Sequence, residues 1–240
     1  EGENLGPLAR GATVFGYGPG AHVRAEEVVL EPDSSRFTVE GVRFTVPVPG
    51  RHNVENGLAA IAAGLRLEVP LLAMIAPLAG FQGVGRRFQS LGVARGIEVV
   101  DDFAHNPAKL AAAIVTARAR VAAGRVLAVY QPHGYGPTRF LRNDFVATFS
   151  QALRPDDLLW MLEIYYAGGT ATRDLSSADI VAEIVARGTR AEFAPSREWL
   201  IERVAGEARA GDLVLVMGAR DPSLTDLALG ILAAVGRSSG

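Results

Sequence analysis

GIEVVDDFAHNP, residues Gly96 to Pro107, is the stretch whose reading decides the fold. Ile97 to Val100 is a short apolar run with Glu98 as its one polar member. It gives way to Asp101, Asp102, Phe103, Ala104, His105, Asn106 and Pro107. A helical pattern follows directly, from about Ala108 to Val121. A short strand that empties into polar residues and re-enters a helix is the first half of a βαβ unit. Open α/β sheets bind ligands outside the carboxyl ends of their strands. Asp102, His105 and Asn106 are expected at such an edge.

Downstream the same grammar repeats. Strands are expected at Arg125–Tyr130, Asp157–Leu162, Arg190–Phe193 and Asp212–Val216. Helices are expected at Arg139–Ala152, Ser177–Arg187, Ser196–Ala208 and from past Ser223 to about Val235. Ser176 or Ser177 with Asp179, and Ser196, suit helix starts. Five strands alternating with five helices imply an α/β fold with a mostly parallel, doubly wound sheet. The unbroken run Leu213 to Val216 fits a strand covered on both faces.

Upstream the pattern differs. Residues 1–10 read as a surface lead-in, Thr13–Gly16 as a short strand and Tyr17–Gly20 as a turn. His22–Leu30, Ser35–Glu40 and Val42–Val48 read as strands of a small antiparallel sheet, the last two joined at Glu40-Gly41. From about Asn53 the period turns helical, with Val54, Leu58, Ile61, Ala62 and Leu65 on one face. Leu71–Ala76 is a second short helix, opened by Pro70 and ended by Pro77. The Gly-rich, basic segment GFQGVGRRFQS (Gly80–Ser90) marks the boundary between two parts, near residues 80–88.

Composition bounds the function. Hydrophobic residues make up 49% of 240, enough for a sizeable core. A net charge of −2 without a basic block argues against a nucleic-acid partner. Cysteine is absent, which removes disulfides and thiolate metal sites, and four scattered histidines do not suggest a zinc cage. No apolar run is long enough for a membrane span, and the start lacks a signal-peptide pattern, so a cytoplasmic protein without a membrane partner is expected. The chain opens on Glu1, which reads as a fragment of a longer protein.

Several polar constellations stand out. Asp102 could accept hydrogen bonds from vicinal sugar hydroxyls, or cap a turn. Pro107 and Asn106 suit a helix start, whereas structure alone accounts less well for His105. Arg86 and Arg87, in a glycine-flanked hinge, can neutralise phosphate oxygens or form a solvated turn. His52, Asn53 and Asn56 open a helix, and Asn53 and Asn56 share a face where amides can match an adenine edge. Asn53 as a helix cap is the plainer alternative. His133, Tyr135 and Arg139 lie in a Gly/Pro-rich strand-end loop. Tyr165–Gly169 and Met217–Asp221 form further loops at the same edge. The chain contains no P-loop, no G-x-G-x-x-G after the first strand of the second part, and no G-x-S-x-G.

GRHNVENGLAAIAAG (Gly50–Gly64), FQGVGRRFQ (Phe81–Gln89), DDFAHNP (Asp101–Pro107), YQPHGYGPTR (Tyr130–Arg139) and GDLVLVMGARD (Gly211–Asp221) come in an order that resembles the ATP-dependent Mur ligases of peptidoglycan synthesis, the alanine-adding branch most nearly. The resemblance covers the chain from about Thr13 to Leu232. It implies that residues 1–80 are the C-terminal part of the central ATPase domain, a small β-plus-helix remnant. It implies that residues 81–240 are the Rossmann-like C-terminal domain, which closes over nucleotide and incoming amino acid. The implied reaction activates a carboxylate with ATP and Mg2+ to an acyl phosphate, which an amine then attacks. The partners it implies are small-molecule carboxylate and amine substrates, such as a UDP-sugar and an amino acid. His52, Asn53, Asn56, Arg86 and Asp102 would hold the nucleotide. Arg87 and His105 would be catalytic, and Asn106, His133, Tyr135 and Arg139 would bind substrate. No residue is assigned to a metal. The resemblance is imperfect. His105-Asn106 stands where two histidines are usual, Gly134 and Pro137 interrupt a basic loop, Gly169 replaces an acidic residue and Arg220 a glycine. A non-catalytic nucleotide or nucleotide-sugar binding module on the same fold is the competing reading.

Overall fold

The computed structural model describes residues 11–81, 83–121 and 123–237, so the expected lead-in at 1–10 lies outside the described residues. The chain divides into two compact units, Glu1–Gly83 and Val84–Gly240.

In the first unit, β1 (Phe15–Gly16) and β2 (Val23–Arg24) pair parallel. They stand apart from the expected antiparallel sheet, which forms from β3 (Glu26–Leu30), β4 (Ser35–Val39) and β5 (Val42–Val46). Glu40 and Gly41 both take positive φ, 49° and 75°, as a two-residue hairpin of the primed type requires. Phe37, Phe44 and Val46 bury one face of this sheet against Val54, Leu58 and Ile61. Those three residues belong to α1 (Arg51–Arg66), which starts two residues earlier than its periodicity suggested. Gly50, not Asn53, is its N-cap. Asn53 lies inside the first turn, and its amide donates to the Pro49 carbonyl at 2.7 Å.

Gly64 is also accounted for. A Cβ there would meet Met74 Cε at 2.6 Å, so the glycine admits the next segment closely. That segment is a 3-10 turn, Leu71–Met74, running into α2 (Ile75–Ala79). Pro70 sits just outside it with extended backbone. Pro77 does not end it but lies in the first turn of α2, where a missing N–H costs nothing.

The second unit is a six-stranded sheet: β6 (Gln89–Ala94), β7 (Ile97–Asp102), β8 (Val126–Gln131), β9 (Leu158–Leu162), β10 (Ala191–Ala194) and β11 (Leu213–Gly218). Their order is β10-β9-β8-β11-β7-β6, with β6 alone antiparallel. Strand β6 was not anticipated. Its residues do not alternate, and the register shifts between Ser90 and Gly92, which hides the period of two. Its turn is legible, because Arg95 and Gly96 repeat the paired positive φ of Glu40 and Gly41.

Helices α3 (Pro107–Val121), α5 (Arg142–Ala152) and α6 (Ser177–Ala186) cover one face of this sheet. Helices α7 (Arg197–Glu207) and α8 (Leu224–Arg237) cover the other. The expected loop before Arg139 is partly helical: α4 (Tyr135–Phe140) starts after Gly134, whose φ is 70°. Gly136 and Pro137 are residues that a loop favours, yet they lie inside α4. In the first turn of a helix a proline lacks nothing it needs, so they are compatible with α4. Ser176 caps α6 in a reciprocal capping box with Asp179, and Ser196 caps α7.

Candidate functional site

The parallel strands β7, β8, β9 and β11 bring their carboxyl ends to one edge. The chain leaves β7 and β8 toward the α3 face and leaves β11 toward the α8 face. Strand β11 lies between β7 and β8, so the departing loops diverge on both of its sides. Such divergences are where open α/β sheets form crevices.

Strand β7 extends through Asp102, two residues beyond the apolar run. Period two then sends Asp101 and Asp102 to opposite faces. Asp101 is fully buried. It accepts from Thr225 Oγ1 of α8 at 2.6 Å and from Arg86 Nε at 3.3 Å. Asp102 accepts the backbone N–H groups of Phe88 and Ala104, each at 2.7 Å. Its carboxylate thus pins the chain on either side of the strand end, which matches the turn-capping alternative for this residue.

Arg86 has a φ of 59°, and each of its three guanidinium nitrogens has an acceptor. Besides Asp101, Nη2 donates to the Gly218 carbonyl at 2.9 Å and Nη1 to the Asp221 carbonyl at 3.4 Å. It fills the crevice between β7 and β11. Arg87 is exposed and has no carboxylate partner among the described residues. The guanidinium carbons of Arg86 and Arg87 each lie 5.2 Å from the centre of the Phe103 ring, within cation–π range.

From Phe103 the aromatic contacts run toward β8. The His105 ring meets Phe103 edge-on at 5.5 Å and His133 at 5.5 Å. Nδ1 of His105 lies 2.8 Å from the Phe103 carbonyl, so this nitrogen carries the proton and donates. The Tyr130 hydroxyl donates to the His105 carbonyl at 3.3 Å, and burial pushes its pKa far above the ordinary range. Asn106 caps α3, accepting from Lys109 N–H at 3.0 Å, with Pro107 as the first helical residue.

His133 follows β8 and is bridged to Tyr165, where Gly134 N–H donates to the Tyr165 carbonyl at 2.8 Å. Burial holds the His133 imidazole below its ordinary pKa, and the positive fields of His105 and Arg220 add to this. Tyr135 is buried with its ring edge-on to Tyr166 at 5.4 Å. Arg139 pairs with Asp174 and donates to the Thr172 carbonyl at 3.1 Å. It lies outside the His105–His133 contact.

The sequence-selected residues therefore fall into two groups. Arg86, Arg87, Asp102, His105, Asn106, His133, Tyr135 and Arg139 belong to the second unit. His52, Asn53 and Asn56 belong to the first turns of α1 in the first unit, where Asn56 Nδ2 donates to Asn53 Oδ1 at 3.3 Å. Phe103, given no role from sequence, and Asp101, which the sequence offers only as a structural neighbour of Asp102, prove central to the second group. Reading β7 to its true end at Asp102 would have placed Asp101 on the sheet.

Among the described residues, no cluster of three or more His, Asp or Glu could hold a metal ion. No helix among them is long and apolar enough to cross a membrane.

The family described as Mur ligase, glutamate ligase domain, matches residues 86–220, more than half of the chain. The UDP-N-acetylmuramate–L-alanine ligase of Phenylobacterium zucineum is 37% identical over 243 residues, covering 96% of this chain and 50% of the relative. That of Cereibacter sphaeroides is 37% identical over 222 residues, covering 88% of this chain and 46% of the relative. Among solved structures, UDP-N-acetylmuramate-alanine ligase MurC from Thermotoga maritima matches with a TM-score of 0.74 and 22% identity. That match covers 92% of this chain and 47% of the solved one, and at such identity it speaks for the fold. The chain spans about half the length of the relatives it matches. On the family match, which coincides with the doubly wound unit and its carboxyl-edge cluster, the chain belongs to the Mur ligase family.

Proposed function

We propose that this chain is part of an ATP-dependent ligase that joins a carboxylate to an amine, working on a UDP-muramic-acid-type or related cell-wall precursor. The observation that carries the reading is the similarity to alanine-adding ligases along nearly the whole chain. In this reading the first unit is the end of the central ATP-using domain and the second is the C-terminal domain. The substrate carboxylate oxygen attacks the γ-phosphorus of ATP and ADP departs. The amine then attacks the acyl carbon, loses a proton and expels phosphate as the amide forms.

Such chemistry rests on positioning and charge neutralisation. Arg87 suits it, because it is exposed, carries no carboxylate partner among the described residues and is steadied by the Phe103 ring. His105 and His133 would line the amine side, with Tyr135 and Asn106 supporting the two loops. Arg139 would reach substrate by leaving Asp174. Asp102 would meet ribose hydroxyls beside the backbone N–H groups of Phe88 and Ala104 that it accepts. Asn56, exposed on α1, is the better placed of the two amides for an adenine edge, because Asn53 is held by Pro49. Arg86 shares its charge among Asp101 and two carbonyls, so its part in nucleotide binding would be indirect. Mg2+, bound with the nucleotide, would neutralise phosphate charge; no group of three or more His, Asp or Glu among the described residues would hold it without the phosphates.

The test is amine-dependent phosphate release by the full-length protein with Mg-ATP and a panel of UDP-sugar carboxylates and amino acids. Release that needs one donor and one acceptor together is the expected result. Nucleotide binding without any release across the panel would favour the non-catalytic module instead. The 240-residue chain alone, which has no P-loop sequence, is expected to bind ATP more weakly than micromolar, as isothermal titration would show.

A further inference from the structure

The sheet of the second unit carries unused chemistry at its outer strand, where β10 begins. Strand β10 is paired parallel to β9 on one side and, among the described residues, is unpaired on the other. Leu159 N–H donates to the Arg190 carbonyl at 3.0 Å. The alternation of a parallel ladder then turns the N–H and C=O groups of Ala191 and Phe193 away from β9, toward the open edge. Free backbone donors and acceptors in a row are a template for another strand.

The start of this strand is also hollow and basic. A pocket of about 360 Å³ lies between the end of α6 and the first residues of β9 and β10. Leu158, Val185 and Ala191 give it apolar walls, and Val185 is 49% exposed. Arg190 lines the same pocket. Its side chain is 48% exposed and reaches Glu207 only at 3.8 Å, a carboxylate that Arg125 already holds at 2.7 Å. Arg187, one residue before the pocket's Gly188, is exposed and forms no ion pair among the described residues. The neighbouring carboxylates are spent. Glu192 accepts from Arg203 at 2.7 Å and from the Trp160 indole at 3.1 Å, and Asp157 pairs with Arg118. Asp156 is exposed, and it is its carbonyl that takes the Arg190 guanidinium, at 3.4 Å. The loop entering β10 therefore carries two exposed guanidiniums without a full counter-charge, an electropositive border to a free strand edge.

We propose that the open edge of β10 is a docking surface for an acidic polypeptide segment, which adds to the sheet as a further strand, sets an apolar side chain into the pocket and meets Arg187 and Arg190 with its carboxylates. Main-chain bonds to Ala191 and Phe193 supply affinity, and the pocket and the two arginines select the sequence. None of these residues belongs to the carboxyl-edge cluster, so the surface does not depend on the ligase reading.

The test follows the backbone amide NMR signals of the 240-residue chain at pH 7. The probes are three end-blocked synthetic peptides, EEVTVEE, KKVTVKK and EEGPGEE. The second reverses the charge, and the third keeps the charge but cannot pair as a strand. EEVTVEE is expected to shift Ala191 and Phe193 saturably, and to lose affinity in about 0.5 M sodium chloride. Ala191→Pro removes one outward N–H at a position where an edge strand tolerates proline, and should weaken binding about fivefold, read at Phe193. Arg187→Ser lies outside the sheet and should weaken it about threefold, so the test stands even where Ala191→Pro loses its β8 and β11 signals and is set aside as unfolded. Equal binding of KKVTVKK would overturn the acidic partner, and equal binding of EEGPGEE would overturn strand addition. Silence to all three peptides would overturn the surface. Shifts of Ala191 and Phe193 that follow protein concentration alone would give the edge to a second copy of this chain and overturn the acidic segment as its occupant.

Discussion

The two sides of β11 solve the same geometric problem in opposite ways. Toward β7 the divergence of loops is filled by Arg86, whose fork meets a buried carboxylate and two carbonyls. Toward β8 the divergence is lined by His133 with an unpartnered nitrogen, by Gln131 with an unpartnered amide oxygen, and by the unopposed Arg220. Buried polar groups are normally satisfied, so a satisfied crevice is architecture, whereas one with polar atoms to spare is prepared for something else. Both crevices look alike from the sequence, since each is a polar loop after a parallel strand. Only the accounting of donors and acceptors tells them apart.

The comparison breaks most directly at Asp101. Removing this buried partner strands the Arg86 guanidinium, so Asp101→Ala is expected to lower unfolding stability by about 3 kcal/mol. Urea denaturation of the 240-residue chain, followed by a probe in the second unit, measures it. A loss under 1 kcal/mol would mean that the β7 side is not held by this pair.

Arg86→Lys is the next largest. An ammonium can replace the contact to Asp101 but not the fork that reaches Gly218 and Asp221, so a loss of about 1–2 kcal/mol is expected. Hydrogen exchange should quicken in residues 84–88 and 218–221 while β8 stays protected. Uniform quickening across the sheet would argue against a local tether.

These two residues also show where sequence reading stops. Strand β7 was legible as an apolar run, but its last two residues are aspartates, and charged residues read as the end of a strand. Their burial depends on partners distant in sequence, Thr225 for Asp101 and the Phe88 N–H for Asp102. Strand β6 was hidden by a bulge, and α4 by glycine and proline that happen to suit a first helical turn. The parallel order, the helix caps at Ser176 and Ser196 and the two-faced core were readable because periodicity and capping are local. His105 and His133 could be placed at one edge by the parallel topology. Their ring contact could not, since it depends on rotamers and on the bridge to Tyr165.

On the β8 side, Arg220→Gly should not destabilise the chain at all. Relief of the left-handed backbone is worth up to about 1 kcal/mol, partly offset by the greater freedom of glycine when unfolded. The same urea measurement checks it, and a loss above 1 kcal/mol would place Arg220 in the architecture beside Arg86.

The smallest effect is a pH dependence from His133. In the unfolded chain this imidazole titrates near 6.5, and in the folded chain burial, His105 and Arg220 hold it lower. The unfolded state therefore takes up the proton first as pH falls, and stability is lost through that window while being fully present above it. The groups around it are His105 from the β7–α3 loop, Arg220 from the β11–α8 loop and Tyr165 across the bridge, none of which is a carboxylate that would favour the charged ring. His133→Gln should flatten the fall in urea midpoint between pH 7.5 and 5.5, and Arg220→Gly should flatten it partly, because it removes one cation but not the burial. A His133→Gln chain that loses stability as steeply as wild type would mean that His133 is charged without cost. The crevice beside β8 would then be as well satisfied as the one beside β7, and the contrast between them would disappear.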